Sequence, residues 1–310
     1  MLSGEHLFNV DNYTNDMLKE LPFYISYGVK YTDFRMNFHS HNGYELFFLH
    51  EGTGNYLCGE LIYPLQGDDL LMIDEHELHK AAPRPGLYKR TVINFLPEFI
   101  QPGSDINLLH MFSAVNRPEY RHLKLSPEQH AAVFILLERM NEEFTERRPD
   151  FEHMLRIYLK RLLLEVYHLH ASRSREPHHA SVNQVNPKIK DIVQYLSQHY
   201  AEDITLEELS KKFYLDPYYL CHLFKKTTGE TIRQFVLFTR IHHAKVLLIL
   251  TDLPISEIAA KVGFSNFSYF GAIFKRQEGV VPRTFRQKWG RSNQKSPGFP
   301  GDLDSDADSD

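Results

Sequence analysis

A chain of 310 residues, 42% apolar and 24% charged, has the length of about two domains and the composition of a soluble globular protein. Its two cysteines, Cys58 and Cys221, stand far apart in no metal or redox spacing, which excludes a disulfide scaffold and points to a reducing, cytoplasmic compartment. The first residues lack the basic-then-apolar run of a signal peptide, no apolar run is long enough to span a bilayer, and the net charge of −5 is unevenly spread. Residues 187–290 hold 15 Lys+Arg against 10 Asp+Glu, a net of +5, whereas residues 1–186 hold 18 against 25, a net of −7. Such asymmetry marks the C-terminal part as the candidate for binding nucleic acid.

Residues 1–115 alternate in the manner of short strands, at Phe23–Tyr27, Glu45–His50, Gly54–Cys58, Leu70–Ile73 and Arg90–Phe95. Aromatic and β-branched residues fill them, and Gly, Pro, Asn and Asp punctuate them, which argues for an all-β barrel or sandwich. Within this part His39, His41 and Glu45 precede Gly52, and Gly67-Asp68 opens a strand expected to end near His79. The arrangement resembles the two motifs of the cupin barrel. His39 and His41 share a strand face because side chains alternate with period two. Three imidazoles and one carboxylate suit a first-row transition ion, line a small-molecule pocket, or brace the barrel; these readings stay open. Tyr24 and Phe38 join them as candidate effector-binding residues, since aromatic faces beside polar groups suit a compact polar ligand such as a sugar.

Residues 116–170 change period to 3.6. Ser126-Pro127 opens a helix carrying Val133, Leu137 and Met140, which Arg147-Arg148-Pro149 stops. A second helix from about Asp150 to His170 bears a wide apolar stripe, enough for packing on the barrel and for a two-fold dimer contact. Residues 171–186 are polar and aperiodic and read as a linker.

Residues 187–290 hold an internal repeat. Leu209, Phe213, Leu215, Leu220, Phe224-Lys225 and Gly229 correspond to Ile258, Val262, Phe264, Phe270, Phe274-Lys275 and Gly279. Each copy reads as a short helix, a tight turn and a second helix, with Asp216 capping one second helix and Ser265 or Asn266 the other. Thr231–Leu250 reads as a long helix between them, with Gln234, Arg240, His243 and Lys245 on its polar face.

These residues, with Leu223-Phe-Lys-Lys-Thr-Thr-Gly229 and Pro282-Arg283-Thr-Phe-Arg286, resemble the AraC/XylS family of bacterial transcription regulators, over about residues 187–288. The resemblance implies a fold of α and β domains: a cupin-like effector barrel, a helical pair and an all-α double helix-turn-helix. It also implies an effector-controlled DNA-binding regulator, an activator in the family's usual mode, with double-stranded operator DNA, RNA polymerase and a second copy of the chain as partners. No catalysis, no membrane contact and no cofactor are expected, a divalent metal in the barrel remaining the open alternative. Carried over by position, the DNA-binding residues are Tyr218, Cys221, His222, Lys225 and Lys226 in the first copy and Phe267, Ser268, Lys275 and Arg276 in the second. Gly271 and Ala272 depart from the family pattern, since neither side chain hydrogen-bonds a base, so the first copy is expected to do most of the reading. A metal-dependent cupin enzyme and a constitutive DNA-binding protein whose barrel only dimerises are the competing readings. Residues 291–310 carry five Asp and two basic residues and read as a disordered acidic tail.

Overall fold

The computed structural model describes residues 10–32, 36–100, 106–112, 121–173 and 185–290. Most of the expected linker and the whole acidic tail lie outside the described residues. Two compact units divide the chain, one up to Arg240 and one from Ile241 onward.

The first unit opens with helix α1 (Val10–Glu20), which sequence periodicity does not announce. Among the described residues eight strands follow: β1 (Phe23–Tyr31), β2 (Tyr44–Glu51), β3 (Thr53–Cys58), β4 (Leu61–Gln66), β5 (Asp69–Ile73), β6 (His79–Pro83), β7 (Tyr88–Phe95) and β8 (His122–Lys124). They form two antiparallel sheets, ordered β1-β7-β2-β5-β8 and β4-β3-β6. His79 therefore opens β6 rather than ending the strand before it. Between β5 and β6 the chain turns through His76, a non-glycine residue at φ 58°.

The alternation along β2 explains the layering. Leu46 and Phe48 face one apolar cluster, while Phe47 and Leu49 face another that includes Tyr56, Tyr63 and Leu71. Both faces of the strand are buried, so it reads as a continuous apolar run rather than as alternating polar and apolar residues. Glu45 shares the parity of Phe47 and so lies on the inner face.

The outer cluster is completed by the short helix α2 (Ile106–Leu109), by α3 (Pro127–Glu146) and by α4 (Phe151–Arg173). Ser126 caps α3 in a reciprocal capping box with Gln129, and Pro127 occupies its first turn. Arg147 ends α3 in the left-handed conformation, at φ 48°. Leu155, Leu159, Leu162, Leu163 and Val166 of α4 are all fully buried in the cluster. Ile157, Leu164 and Tyr167 remain exposed on the other side of the same helix.

A third apolar cluster joins barrel and helices. Helices α5 (Pro187–Gln198), α6 (Leu206–Phe213) and α7 (Pro217–Thr228), with the start of α8 (Ile232–Leu250), contribute Ile192, Leu196, Leu209, Leu220, Phe224 and Phe235. The barrel contributes Phe38, Leu57, Ile62 and Leu78 to the same cluster.

The second unit contains the rest of α8, then α9 (Ile255–Lys261), α10 (Phe267–Glu278) and α11 (Pro282–Trp289). Ile258, Val262, Phe270, Phe274 and Phe285 build its core. Lys245 and Glu278, both nearly buried, pair at 3.1 Å within it, and Arg286 donates to the Leu253 carbonyl at 2.6 Å.

Candidate functional site

Two helices present the residues expected to meet DNA. Helix α7 begins at Asp216, whose carboxylate accepts the Tyr219 amide at 3.0 Å, with Pro217 in the first turn. It ends at Gly229, whose φ of 75° suits a residue without a Cβ. Leu220 and Phe224 are fully buried, which fixes the rotation of the helix. Tyr218, Cys221, His222, Lys225 and Lys226 consequently all point outward and are exposed. Tyr218 is 82% exposed, too open to be a packing residue of its own unit.

Helix α10 repeats the construction. Asn266 accepts the Tyr269 amide at 2.9 Å, and Gly279 closes the helix at φ 73°. Phe270, Ile273 and Phe274 are buried, leaving Phe267, Ser268, Ala272, Lys275 and Arg276 exposed. Phe267 is 54% exposed although its ring also lies 6.3 Å from that of Phe270. A Cβ built on Gly271 meets nothing within 4 Å. In both helices the basic residues fall in the last turn, where they favour the negative helix end.

Sequence position alone missed three exposed aromatics. Tyr214, 89% exposed, occupies the left-handed turn before α7 at φ 53°, the place that Gly263 fills at φ 88° before α9 gives way to α10. Tyr219 and Tyr269, immediately beyond the expected reading positions, are 49% and 41% exposed. In α8, Arg240 donates to the carbonyls of Tyr200 at 2.6 Å and Glu202 at 2.8 Å, and Lys245 pairs with Glu278, so these two brace their own units.

Inside the barrel the structure brings His39, His41, Glu45 and His79 together. All four are buried, and one ligand atom from each lies within 4.8 Å of the others. A backbone bridge aligns the first and last: His39 N donates to His79 O at 3.0 Å, and His79 N to His39 O at 2.8 Å. His41 Nε2 stands 3.0 Å and His79 Nε2 3.6 Å from Glu45 Oε2. Asn94 donates to the same oxygen at 3.0 Å, and the Tyr56 hydroxyl donates to Glu45 Oε1 at 2.8 Å. Burial raises the Glu45 carboxyl, but the charge of His79 and the hydrogen bonds of His41 and His79 outweigh it and hold it well below its usual range. Burial, and then the neighbouring His79 and His41, push the His39 imidazole well below its usual range. Tyr56 moves the other way, raised by burial and by the Glu45 charge.

Phe38 and Tyr24 do not join this cluster. Phe38 turns to the helices, its ring 5.3 Å from Phe235 and 5.7 Å from Phe238. Tyr24 lies against Tyr13 of α1 at 5.8 Å and Phe144 of α3 at 5.9 Å.

A family model described as an AraC-like ligand binding domain matches residues 26–180, half of the chain, and one described as a helix-turn-helix domain matches residues 209–288. The chain belongs to the AraC/XylS family. Among similar AraC-family proteins is the HTH-type transcriptional regulator YdiP of Escherichia coli K12, 27% identical over 251 residues, covering 80% of each chain. Another is the transcriptional activator RhaS of Enterobacter sp. strain 638, 25% identical over 256 residues, covering 80% of this chain and 87% of that protein. The crystal structure of ToxT from Vibrio cholerae O395 aligns with 86% of this chain and 98% of its own at 14% identity, with a TM-score of 0.33. The protein is thus an AraC-family DNA-binding transcription regulator controlled by an effector, and not an enzyme. AraC-family regulators generally need no cofactor. No helix among the described residues is long and apolar enough to cross a membrane.

Proposed function

We propose that this regulator reads its operator through the exposed faces of α7 and α10 and senses its effector in the barrel at His39, His41, Glu45 and His79. The observation that carries the reading is the matched construction of α7 and α10. Each is capped at its start by an acidic or amide side chain, anchored by two or three buried apolar residues, and basic in its last turn. Side chains early in such helices reach base edges, and nearby lysine and arginine hold phosphates. Tyr218, Cys221 and His222 supply most of the discrimination, Phe267 and Ser268 add contacts to thymine methyls and the sugar-phosphate edge, and Lys225, Lys226, Lys275 and Arg276 grip the backbone.

The functional modules run as the barrel (1–115), the helical pair (116–170), the linker (171–186), the DNA-binding part (187–290) and the tail (291–310). The exposed Ile157, Leu164 and Tyr167 of α4 support a homodimer formed through the helical pair. The chain acts in the cytoplasm as an activator that recruits RNA polymerase.

Selection of genomic fragments by the purified full chain tests this reading. Enriched fragments are expected to share a motif, and affinity for it to fall linearly with the logarithm of salt concentration. Enrichment without any shared sequence overturns it.

A further inference from the structure

Both helix-turn-helix copies place a left-handed residue at the same point of the turn. In the first, the amides of Tyr214 and Leu215 both donate to the Ser210 carbonyl, that of Leu215 at 3.1 Å. In the second, Gly263 donates to the Ala260 carbonyl at 3.0 Å and Phe264 to the Ala259 carbonyl at 2.9 Å. Leu215 and Phe264 correspond in the repeat, and each reaches back five positions along the chain. A bond of that span closes a helix when the residue before the donor is left-handed. Tyr214, at φ 53°, and Gly263, at φ 88°, hold that place. Glycine takes the conformation freely, whereas the Cβ of a tyrosine strains it.

The ring adds no packing that would offset this strain, because Tyr214 is 89% exposed. The residues on either side, Phe213 and Leu215, pack against the apolar cluster of the unit and hold the turn in shape. Tyr214 is thus turned outward by its neighbours, and strain kept in this way clusters at functional sites.

The surroundings of the ring suit a DNA strand. Tyr214 stands two residues before Asp216, the cap of α7, and so lies beside the end of the helix that carries Tyr218. Lysines flank the turn. Lys188 Nζ lies 3.2 Å from the Phe213 carbonyl and 3.5 Å from that of Tyr214, and Lys211 and Lys212 are exposed in the last turn of α6. The carboxylate of Asp216 is already engaged by the Tyr219 amide at 3.0 Å. A phosphodiester strand offers what this edge can use: anionic oxygens for lysines and a phenol hydroxyl, and sugar faces for a ring.

We propose that Tyr214 is a DNA-positioning residue: its ring lies on a deoxyribose and its hydroxyl donates to a phosphate, on the strand bordering the groove that α7 enters. This rests on the reading that α7 enters operator DNA, and it gives the turn a role separate from that of the helix. Such a contact carries no base information, so it fixes the register of α7 and strengthens all sequences alike. The second copy has glycine at this place and makes no equivalent contact. Tyr214 therefore lowers the stability of the free protein while raising its affinity for DNA.

The test uses the full chain with Tyr214→Gly, Tyr214→Phe or His222→Ala. Thermal unfolding is followed by circular dichroism, and Kd is measured for a selected operator fragment and its single-base variants over a range of salt. Tyr214→Gly should unfold at a temperature no lower than the parent, yet bind every fragment about tenfold more weakly, the loss of one hydrogen bond to a charged group. Its salt slope should be unchanged, because no positive charge is removed. Tyr214→Phe keeps the ring and should weaken binding about threefold. Parent-like affinity in Tyr214→Gly overturns the proposal. A loss confined to one base pair also overturns it, since Tyr214 then reads a base, and so does a lower unfolding temperature, since the ring then belongs to the fold. If His222→Ala alters binding and Tyr214→Gly does not, the proposal alone falls; if neither does on any fragment, the reading of α7 falls with it.

Discussion

Lys80 and Glu230 are tied across 150 positions of sequence, with side chains only 5% and 9% exposed. Removing one partner of such a pair leaves the other charge buried without compensation, a loss of about 3–5 kcal/mol. Removing both and filling the space with apolar groups leaves no lone charge and is close to neutral. Lys80→Met and Glu230→Gln are therefore each expected to destabilise the protein by about 3–5 kcal/mol, and the double variant Lys80→Met/Glu230→Leu by about 1 kcal/mol or less. Urea unfolding followed by circular dichroism gives the three stabilities, and hydrogen exchange of α7 amides shows whether the loss is felt where the tie ends. The helix should exchange faster in each single variant and return toward the parent in the double. Single variants costing under about 1 kcal/mol, the size expected of an exposed pair, would refute the reasoning. A double variant costing the sum of the singles would refute it equally, because the two groups would then be acting independently.

Three further outcomes follow from other parts of the molecule. His222→Ala should change which base is preferred at one operator position, with a discrimination loss of about 1–3 kcal/mol, whereas Lys275→Ala should weaken all sequences alike and lower the salt slope by about 1; binding to a randomised library distinguishes them, and identical behaviour contradicts the assignment. Burial first, then the charges of His130 and Lys89, push the His50 imidazole down to about 4, with Asp68 opposing. Its folded value lies below the ordinary 6.5, so the stability it contributes is present above about pH 6.5 and is lost as pH falls toward 4; His50→Gln should flatten that stretch of the stability–pH curve, and an unchanged slope rules His50 out. Ile157→Glu places a charge on the exposed face of α4 and should shift sedimentation from dimer toward monomer with little change in stability; an unaltered dimer moves the interface elsewhere.

The elements legible in the sequence are those fixed by local chemistry. Ser126, Asp216 and Asn266 each cap the helix that their spacing suggests, because a cap depends on residues two or three positions away. The meeting of His39, His41, Glu45 and His79 was legible from motif resemblance and not from strand alternation, because His39 and His41 lie before β2 in a stretch held only by the isolated bridge of His39 to His79, and the strand expected to carry His79 was misplaced. Strand β4 was hidden by Pro64, which weakens a strand signal without preventing pairing in an edge strand. Phe38 was expected in the pocket and instead packs on Phe235, and nothing periodic connects residues nearly two hundred positions apart. The docking of barrel on helices was invisible for the same reason. Apolar residues at helical spacing state that a face is buried, and not against what.

The open space at Gly271 has a consequence for how this regulator changes over time. A side chain added there displaces nothing, and replacing a glycine inside a helix itself adds about 1 kcal/mol of stability. Ala272 beside it is exposed and equally unencumbered. If α10 reads DNA as proposed, its preference can therefore change by single substitutions at these two positions that spare the core, whereas any change at Phe270 or Phe274 must repack it.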